Sequence, residues 1–134
     1  MHKWKGASGV CVNENNELLM VLQGKPEEVK KWTAPSGGVE EGETYDECCL
    51  REFNEETGNK AEIIEKVNVK KGRNENHQID YEVHYFKVKV IGGTRKLQDP
   101  DQLIHAIEWK TKEELAILPL AFKEDQEFLL KMIT

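Results

Sequence analysis

The chain has 134 residues, 38% hydrophobic and 33% charged, with a net charge of −6. That length suits one domain over 1–134, able to bury roughly two thirds of its unfolded surface. The composition excludes a disordered chain, the acidic balance argues against a nucleic-acid polymer as partner, and no apolar run approaches the roughly 18 residues of a membrane span.

Three cysteines, two of them adjacent, make no disulfide framework. Cys48 and Cys49 read as small buried helix residues. The first residues, Met-His-Lys-Trp-Lys-Gly, lack the apolar core of a signal peptide. A reducing cytoplasm is the expected setting.

Residues 6 to 13 and 17 to 23 read as two strands joined by the turn formers Asn13-Glu14-Asn15-Asn16. Residues 24 to 31 form a polar loop whose Lys25, Lys30 and Lys31 read as solvated charges. Trp32-Thr33-Ala34-Pro35 is short and extended, with Trp32 either a core anchor or part of a substrate wall.

The informative stretch runs from Pro35 to Asn59, a glycine-rich loop feeding an acidic helix. Thr44 and Glu47 form a T-x-x-E capping box, and Asp46 and Glu47 suit the positive end of the helix dipole. Gly58 stands where a left-handed cap favours glycine. Tyr45, Cys48, Cys49, Glu52, Glu55 and Glu56 share one side of this helix. Toward the N-terminus that side is small and apolar; in the last turns it becomes three carboxylates. Neighbours at i,i+3 and i,i+4 lie roughly 5–6 Å apart, and two like charges at that distance repel by about 3 kcal/mol at an effective dielectric of about 20. Three such groups need protons, arginines or a hard divalent cation, for which magnesium or manganese is the natural choice. Taken alone, E-x-x-E-E is also the pattern of a solvated helix end. Gly37, Gly38 and Gly42 change the balance by letting backbone approach a ligand closely.

Gly37-x5-Glu43-x7-Arg51-Glu52-Phe53-x-Glu55-Glu56-x-Gly58 resembles the Nudix box, G-x5-E-x7-R-E-U-x-E-E-x-G-U, with U an apolar residue. Every charged and glycine position is met. Asn59 departs at the last apolar position, and Ser36 stands where relatives usually carry glycine. The resemblance to the MutT-like Nudix hydrolase superfamily implies an α/β fold, an α/β/α sandwich with a mixed β-sheet between helices. It implies magnesium, with manganese as a substitute, held by Glu52, Glu55, Glu56 and the Ser36 carbonyl. Arg51 would orient a carboxylate and Glu43 would support the loop and helix start. Glu52 is the first choice as general base. Gly37, Gly38 and Trp32 would touch substrate. The implied reaction is hydrolysis of a pyrophosphate bond in a nucleoside diphosphate linked to another group, with a (d)NTP-type substrate favoured. Nucleotide sugars and dinucleoside polyphosphates are alternative substrates, and a non-catalytic ligand sensor is the rival from another class. A homodimer is compatible with the resemblance, although no interface is legible in the residues.

Beyond the helix, residues 60 to 72 suggest a strand with Ile64, Val67 and Val69 apolar. Residues 77 to 91 alternate, with Ile79, Tyr81, Val83 and Tyr85 on one face and Phe86, Val88 and Val90 on the other. That phase change predicts a bulge near Tyr85 or a strand covered on different faces at its two ends. His77 and His84 read as surface or sheet residues. The loop from Gly92 to about Ile104 is where the resemblance places a further acid, with Asp101, His105 and Glu108 as candidates. Residues 105 to 110 read as a strand, Thr111 and Glu114 as a second capping box, and 120 to 133 as a final helix striped by Phe122, Leu129, Leu130 and Ile133.

Overall fold

The computed structural model describes residues 3–94 and 104–133. Its elements, in chain order, are strands β1 (Lys3–Val10), β2 (Leu18–Gln23), β3 (Lys31–Thr33) and β4 (Ser36–Gly38), helix α1 (Tyr45–Thr57), strands β5 (Asn59–Asn74), β6 (Ile79–Gly93) and β7 (Ile104–Lys110), and helices α2 (Lys112–Leu115) and α3 (Gln126–Met132). A 3-10 turn over Lys123–Asp125 precedes α3.

The β layer is two sheets. One has the order β4-β1-β6-β5, with β1 and β6 parallel and the other pairs antiparallel; the second is β3-β2-β7, antiparallel throughout. Successive strand side chains point to opposite faces, so the buried run of β2 feeds two cores. Leu18 and Met20 pack with Leu115, Leu129 and Ile133, while Leu19 packs with Cys48, Cys49 and Phe53. Helix α1 therefore covers one face and α2 with α3 the other, which is an α/β/α sandwich with a mixed β layer.

The phase change in β6 has the second of its two expected causes. The β1–β6 register runs unbroken from Lys3↔Asp80 to Val10↔Lys87. Val83 and Tyr85 belong to the α3-side core, Phe86 and Val88 to the α1-side core. Near the phase change the register shifts put the extra residue on the partner β5, at Ile64 and at Val67, and a third shift puts Ile91 of β6 out of register at the far end. Ile64 and Val69 are exposed, whereas Val67 stays packed.

Both capping boxes form, at Thr44 with Glu47 and at Thr111 with Glu114, and Gly58 closes α1 at φ 80°. The buried side of α1 differs from the expected one. It runs through Cys48, Cys49, Phe53 and Thr57, with Phe53 fully enclosed. The carboxylates flank that stripe rather than continue it. The final helix starts later than expected, at Gln126, and Phe122 lies outside it, 44% exposed. No helix among the described residues is long and apolar enough to cross a membrane.

All three cysteines are free and buried. Burial pushes the Cys11 thiol up to about 11 and the Cys48 and Cys49 thiols up to about 12, so all stay protonated at neutral pH.

Candidate active site

Strand β4 is sewn to β1 in the register Gly6↔Gly38, Ala7↔Gly37 and Ser8↔Ser36. The Gly9 amide donates to the Pro35 carbonyl at 2.9 Å and the Val39 amide to the Lys5 carbonyl at 2.9 Å, which fixes both ends of the loop. Cys48, Cys49 and Phe53 then seat α1 on the same sheet. Small cysteines near the helix start allow this close approach, and it brings the last turns of α1 against β4. The Ser36 amide donates to Glu56 Oε1 at 3.1 Å. A methyl group on Gly37 would collide with the Glu52 carboxylate, so the absence of a side chain there makes the room that Glu52 fills.

Arg51 is the hub of the acidic cluster. Its Nε and Nη2 donate to Glu43 Oε2 and Oε1 at 2.7 and 2.9 Å, a forked contact of the strong, charge-assisted kind. Its Nη1 donates to Glu52 Oε1 at 2.7 Å and Glu55 Oε2 at 3.3 Å, and its Nη2 also reaches the Gly38 carbonyl at 2.9 Å. The Arg51 contact holds the Glu43 carboxyl down to about 2. Glu52 behaves oppositely. Burial raises its pKa above the ordinary carboxylate range, and the nearby Arg51 only partly offsets this.

Beside the cluster lies a cavity of about 670 Å³, within the size range of small-ligand sites. Ser36 and Gly37 form part of its lining. Trp4, Tyr81, Tyr85 and Phe122 contribute aromatic surface, and Lys70 and Asp125 contribute charge. Trp32 is not on this wall. It is a core residue, its ring covered by the Lys110 ammonium at 4.2 Å, and its backbone is bonded to Pro119 and Ala121. Of its two expected roles, the structure supports the core anchor, because the main-chain bonds on both sides turn the indole inward.

A family model for the NUDIX domain matches residues 2–132. The chain belongs to the NUDIX domain family. It is 30% identical to Nudix hydrolase 5 of Arabidopsis thaliana over 127 residues, covering 91% of this chain and 41% of that protein. It is 33% identical to the putative 8-oxo-dGTP diphosphatase of Bacillus subtilis over 89 residues, covering 66% of this chain and 55% of that protein. The chain thus spans about half or less of the length of these relatives. Among solved structures, a NUDIX hydrolase from Nitrosomonas europaea superposes with a TM-score of 0.85 at 17% identity, covering 97% of this chain and 87% of that one. A MutT NUDIX hydrolase from Burkholderia pseudomallei does so with a TM-score of 0.81 at 19% identity over the whole of both chains.

Within this NUDIX domain the acidic side chains offer only hard oxygen donors, which fit magnesium or manganese by their chemistry. Among the described residues no three acidic, histidine or cysteine side chains already converge as a cage. Arg51 instead engages Glu52 and Glu55. Of the candidates for a further acid, Asp101 lies outside the described residues. His105 Nε2 is bonded to the Gly24 carbonyl at 2.9 Å, and Glu108 accepts from Lys110 at 2.6 Å, so both are engaged on the β3-β2-β7 sheet and its adjoining loop. Lys30 folds back on three carbonyls of its own loop. His84 is buried, stacked on Tyr45 at 3.5 Å and bonded to Glu82 at 2.7 Å, a packing role.

Sequence reasoning missed Trp4, Lys70 and Asp125 as cavity residues. A signal existed for the first. Trp4, Gly6 and Ser8 alternate along β1 and stand beside Tyr81, Val83 and Tyr85 in register. For Lys70 and Asp125, 55 positions apart, none did.

Proposed function

We propose that this NUDIX domain hydrolyses the pyrophosphate bond of a nucleoside diphosphate linked to another group, with a (d)NTP-type substrate favoured. The observation that carries the reading is the placement of Glu52 and Glu56 against the Ser36–Gly37 edge of a cavity large enough for a nucleotide. The putative 8-oxo-dGTP diphosphatase of Bacillus subtilis supports a nucleoside triphosphate by its name, and the RNA pyrophosphohydrolase of Cereibacter sphaeroides supports by its name the reaction type alone.

Glu52, Glu55, Glu56 and the Ser36 carbonyl are the groups that would hold magnesium. Bound there, the ion neutralises phosphate charge and lowers the pKa of water. The protein's own residues supply the rest. Glu52 is the general base. Its carboxylate stands against Gly37, at the edge of the cavity. Water oxygen bonds to phosphorus, the bridging P–O bond breaks with its electron pair, and the water's proton passes to Glu52. Arg51 fixes the orientation of that carboxylate, and Glu43 fixes Arg51. The products are a nucleoside monophosphate, or a similar phosphate, and the other half of the anhydride. The three protonated, buried thiols suit a reducing cytoplasm.

The test is a magnesium-dependent hydrolysis screen over nucleoside triphosphates, oxidised nucleotides, nucleotide sugars and dinucleoside polyphosphates, with product identification. Turnover of at least one class to a monophosphate supports the reading. Binding without turnover of any class would instead favour the ligand sensor.

A further inference from the structure

Strand β5 ends one side of the four-stranded sheet, and among the described residues it pairs with β6 alone. Its outer side therefore carries backbone N–H and C=O groups that no strand satisfies. The extra residues Ile64 and Val67 bulge its first half, and a bulged edge is a poor template for another strand. From Asn68 to Asn74 the register with β6 is unbroken over seven positions. That half is a regular, open edge.

Its charge runs against that of the chain. Residues 66 to 73 hold Lys66, Lys70, Lys71 and Arg73 and no acid, although the net charge is −6. Lys70 turns to the cavity side, where Asp125 accepts from it at 2.9 Å. The other cations share the opposite face with Val69. There Arg73, Lys71 and Val69 stand beside Asp80, Glu82 and His84 of β6, and Lys66 stands beside Phe86. Arg73 is bonded to Asp80 at 2.9 Å. Lys71 has no such bond, because both oxygens of Glu82 are taken, Oε1 by Lys3 and Oε2 by His84, each at 2.7 Å. Lys66 lies 5.7 Å from the Phe86 ring centroid and, like Lys71, forms no ion pair among the described residues. Between these two exposed lysines Val69 is itself 39% exposed.

Lysines on an edge strand keep copies of a chain apart. A second β5 laid alongside this one would crowd cations against cations. The same charges attract a segment of opposite sign. A polynucleotide has no row of peptide groups to pair with the edge, and Asp80 and Glu82 interrupt the positive field that a phosphate chain needs. An acidic peptide in extended form meets both requirements, since its backbone pairs with the edge and its carboxylates reach the unpaired lysines.

We propose that the Asn68–Asn74 edge of β5 is a docking site for an acidic peptide segment, which adds to the sheet as a further strand. Its carboxylates stand beside Lys71 and Lys66, and an apolar side chain between them covers Val69. This edge lies apart from the acidic cluster on α1, so docking and the proposed hydrolysis are independent of each other.

The probe is the end-blocked peptide Thr-Glu-Thr-Val-Thr-Glu-Thr, whose Glu, Val and Glu side chains share one face of a strand. Its binding to the whole chain is measured by calorimetry, and amide hydrogen exchange of residues 68–74 is followed by NMR. Saturable binding that slows exchange at alternate amides of this segment is expected. The same peptide N-methylated throughout keeps its carboxylates and loses every backbone donor, and should bind at least about tenfold more weakly. Lys71→Glu should weaken the unmodified peptide by about tenfold, with the melting temperature and any magnesium-dependent turnover unchanged. Lys66→Glu supplies the same test if that variant does not fold. No saturable binding, equal binding of the N-methylated peptide or of a peptide with Lys in place of Glu, or a folded Lys71→Glu that binds like the wild type would each overturn the proposal. Tighter binding of octathymidylate in competition with the peptide would assign the edge to nucleic acid and overturn it. A dimer in sedimentation that protects the same amides would assign the edge to a second copy, with the same consequence.

Discussion

The Glu52 carboxylate occupies the volume in which a side chain at residue 37 would stand. Gly37 is therefore required for a steric reason that concerns a residue 15 positions later on α1, and not for any unusual backbone angle, since its φ is not in the left-handed region. Gly37→Ala is expected to leave the fold intact, because the obstructing group is the end of a flexible side chain. It should displace that carboxylate and lower turnover by about 100-fold. Thermal melting and steady-state kinetics on the same preparation check both halves. A variant with wild-type rates would remove the argued link between the two residues.

Glu52 carries a stability cost along with its proposed role. Burial raises its pKa, so the folded state disfavours the charged form, and that penalty is present at neutral pH and relieved as pH falls. Glu52→Gln keeps the shape and removes the charge. Its melting temperature at pH 7 is expected to equal or exceed that of the wild type, while turnover falls by about 10²–10⁴-fold. A lower melting temperature would show that the Arg51 contact outweighs burial at this position.

Glu43 has the opposite sign. Its pKa is depressed to about 2 by Arg51, so the unfolded chain binds more protons as pH falls below the ordinary carboxylate value of about 4.5. The stability gained from the contact is complete above about pH 4.5 and lost as pH falls toward about 2. The difference in stability between wild type and Glu43→Gln should be constant from pH 7 to pH 5 and shrink below that. Denaturant titrations across this range measure it, and a difference that does not change with pH would rule out the ion pair as its source.

Arg51→Ala removes the group shared by Glu43, Glu52 and Glu55. Turnover is expected to fall by roughly 10–100-fold, as for the loss of an orienting partner. The melting temperature should fall too, since the Glu43 and Glu52 side chains, only 13% and 16% exposed, lose their cation. Unchanged kinetics would exclude an orienting role.

Glu55→Gln and Glu56→Gln are expected to lower magnesium-dependent turnover by on the order of 10²–10³ with the fold retained. Wild-type rates in both variants would show that the cation is held elsewhere.

Much of this molecule is local, and local features were legible before any coordinates. Thr44, Glu47 and Gly58 specify where α1 begins and ends through bonds to their own neighbours, and Thr111 with Glu114 does the same for α2. The spacing of Arg51, Glu52, Glu55 and Glu56 on one helix likewise follows from 3.6 residues per turn. Strand positions emerged from alternation, but the side of each residue did not. The Tyr85–Phe86 phase change admitted two explanations, and only the pairing of β6 with an unbroken β1 and a bulged β5 separates them. Trp32 showed an aromatic residue ahead of the box without showing which way its ring turns.

The sequence by itself determined the helix, its caps and the order of the charges along it, because those depend on residues within a few positions of one another. Only the tertiary structure decided what those charges face. Gly37 against Glu52, Trp4 laid over Gly6 and Gly38, and Lys70 joined to Asp125 are contacts between separate elements, set by how the sheet pairs and twists. No spacing along the chain encodes them, since each depends on the packing of side chains that become neighbours only when both cores have formed.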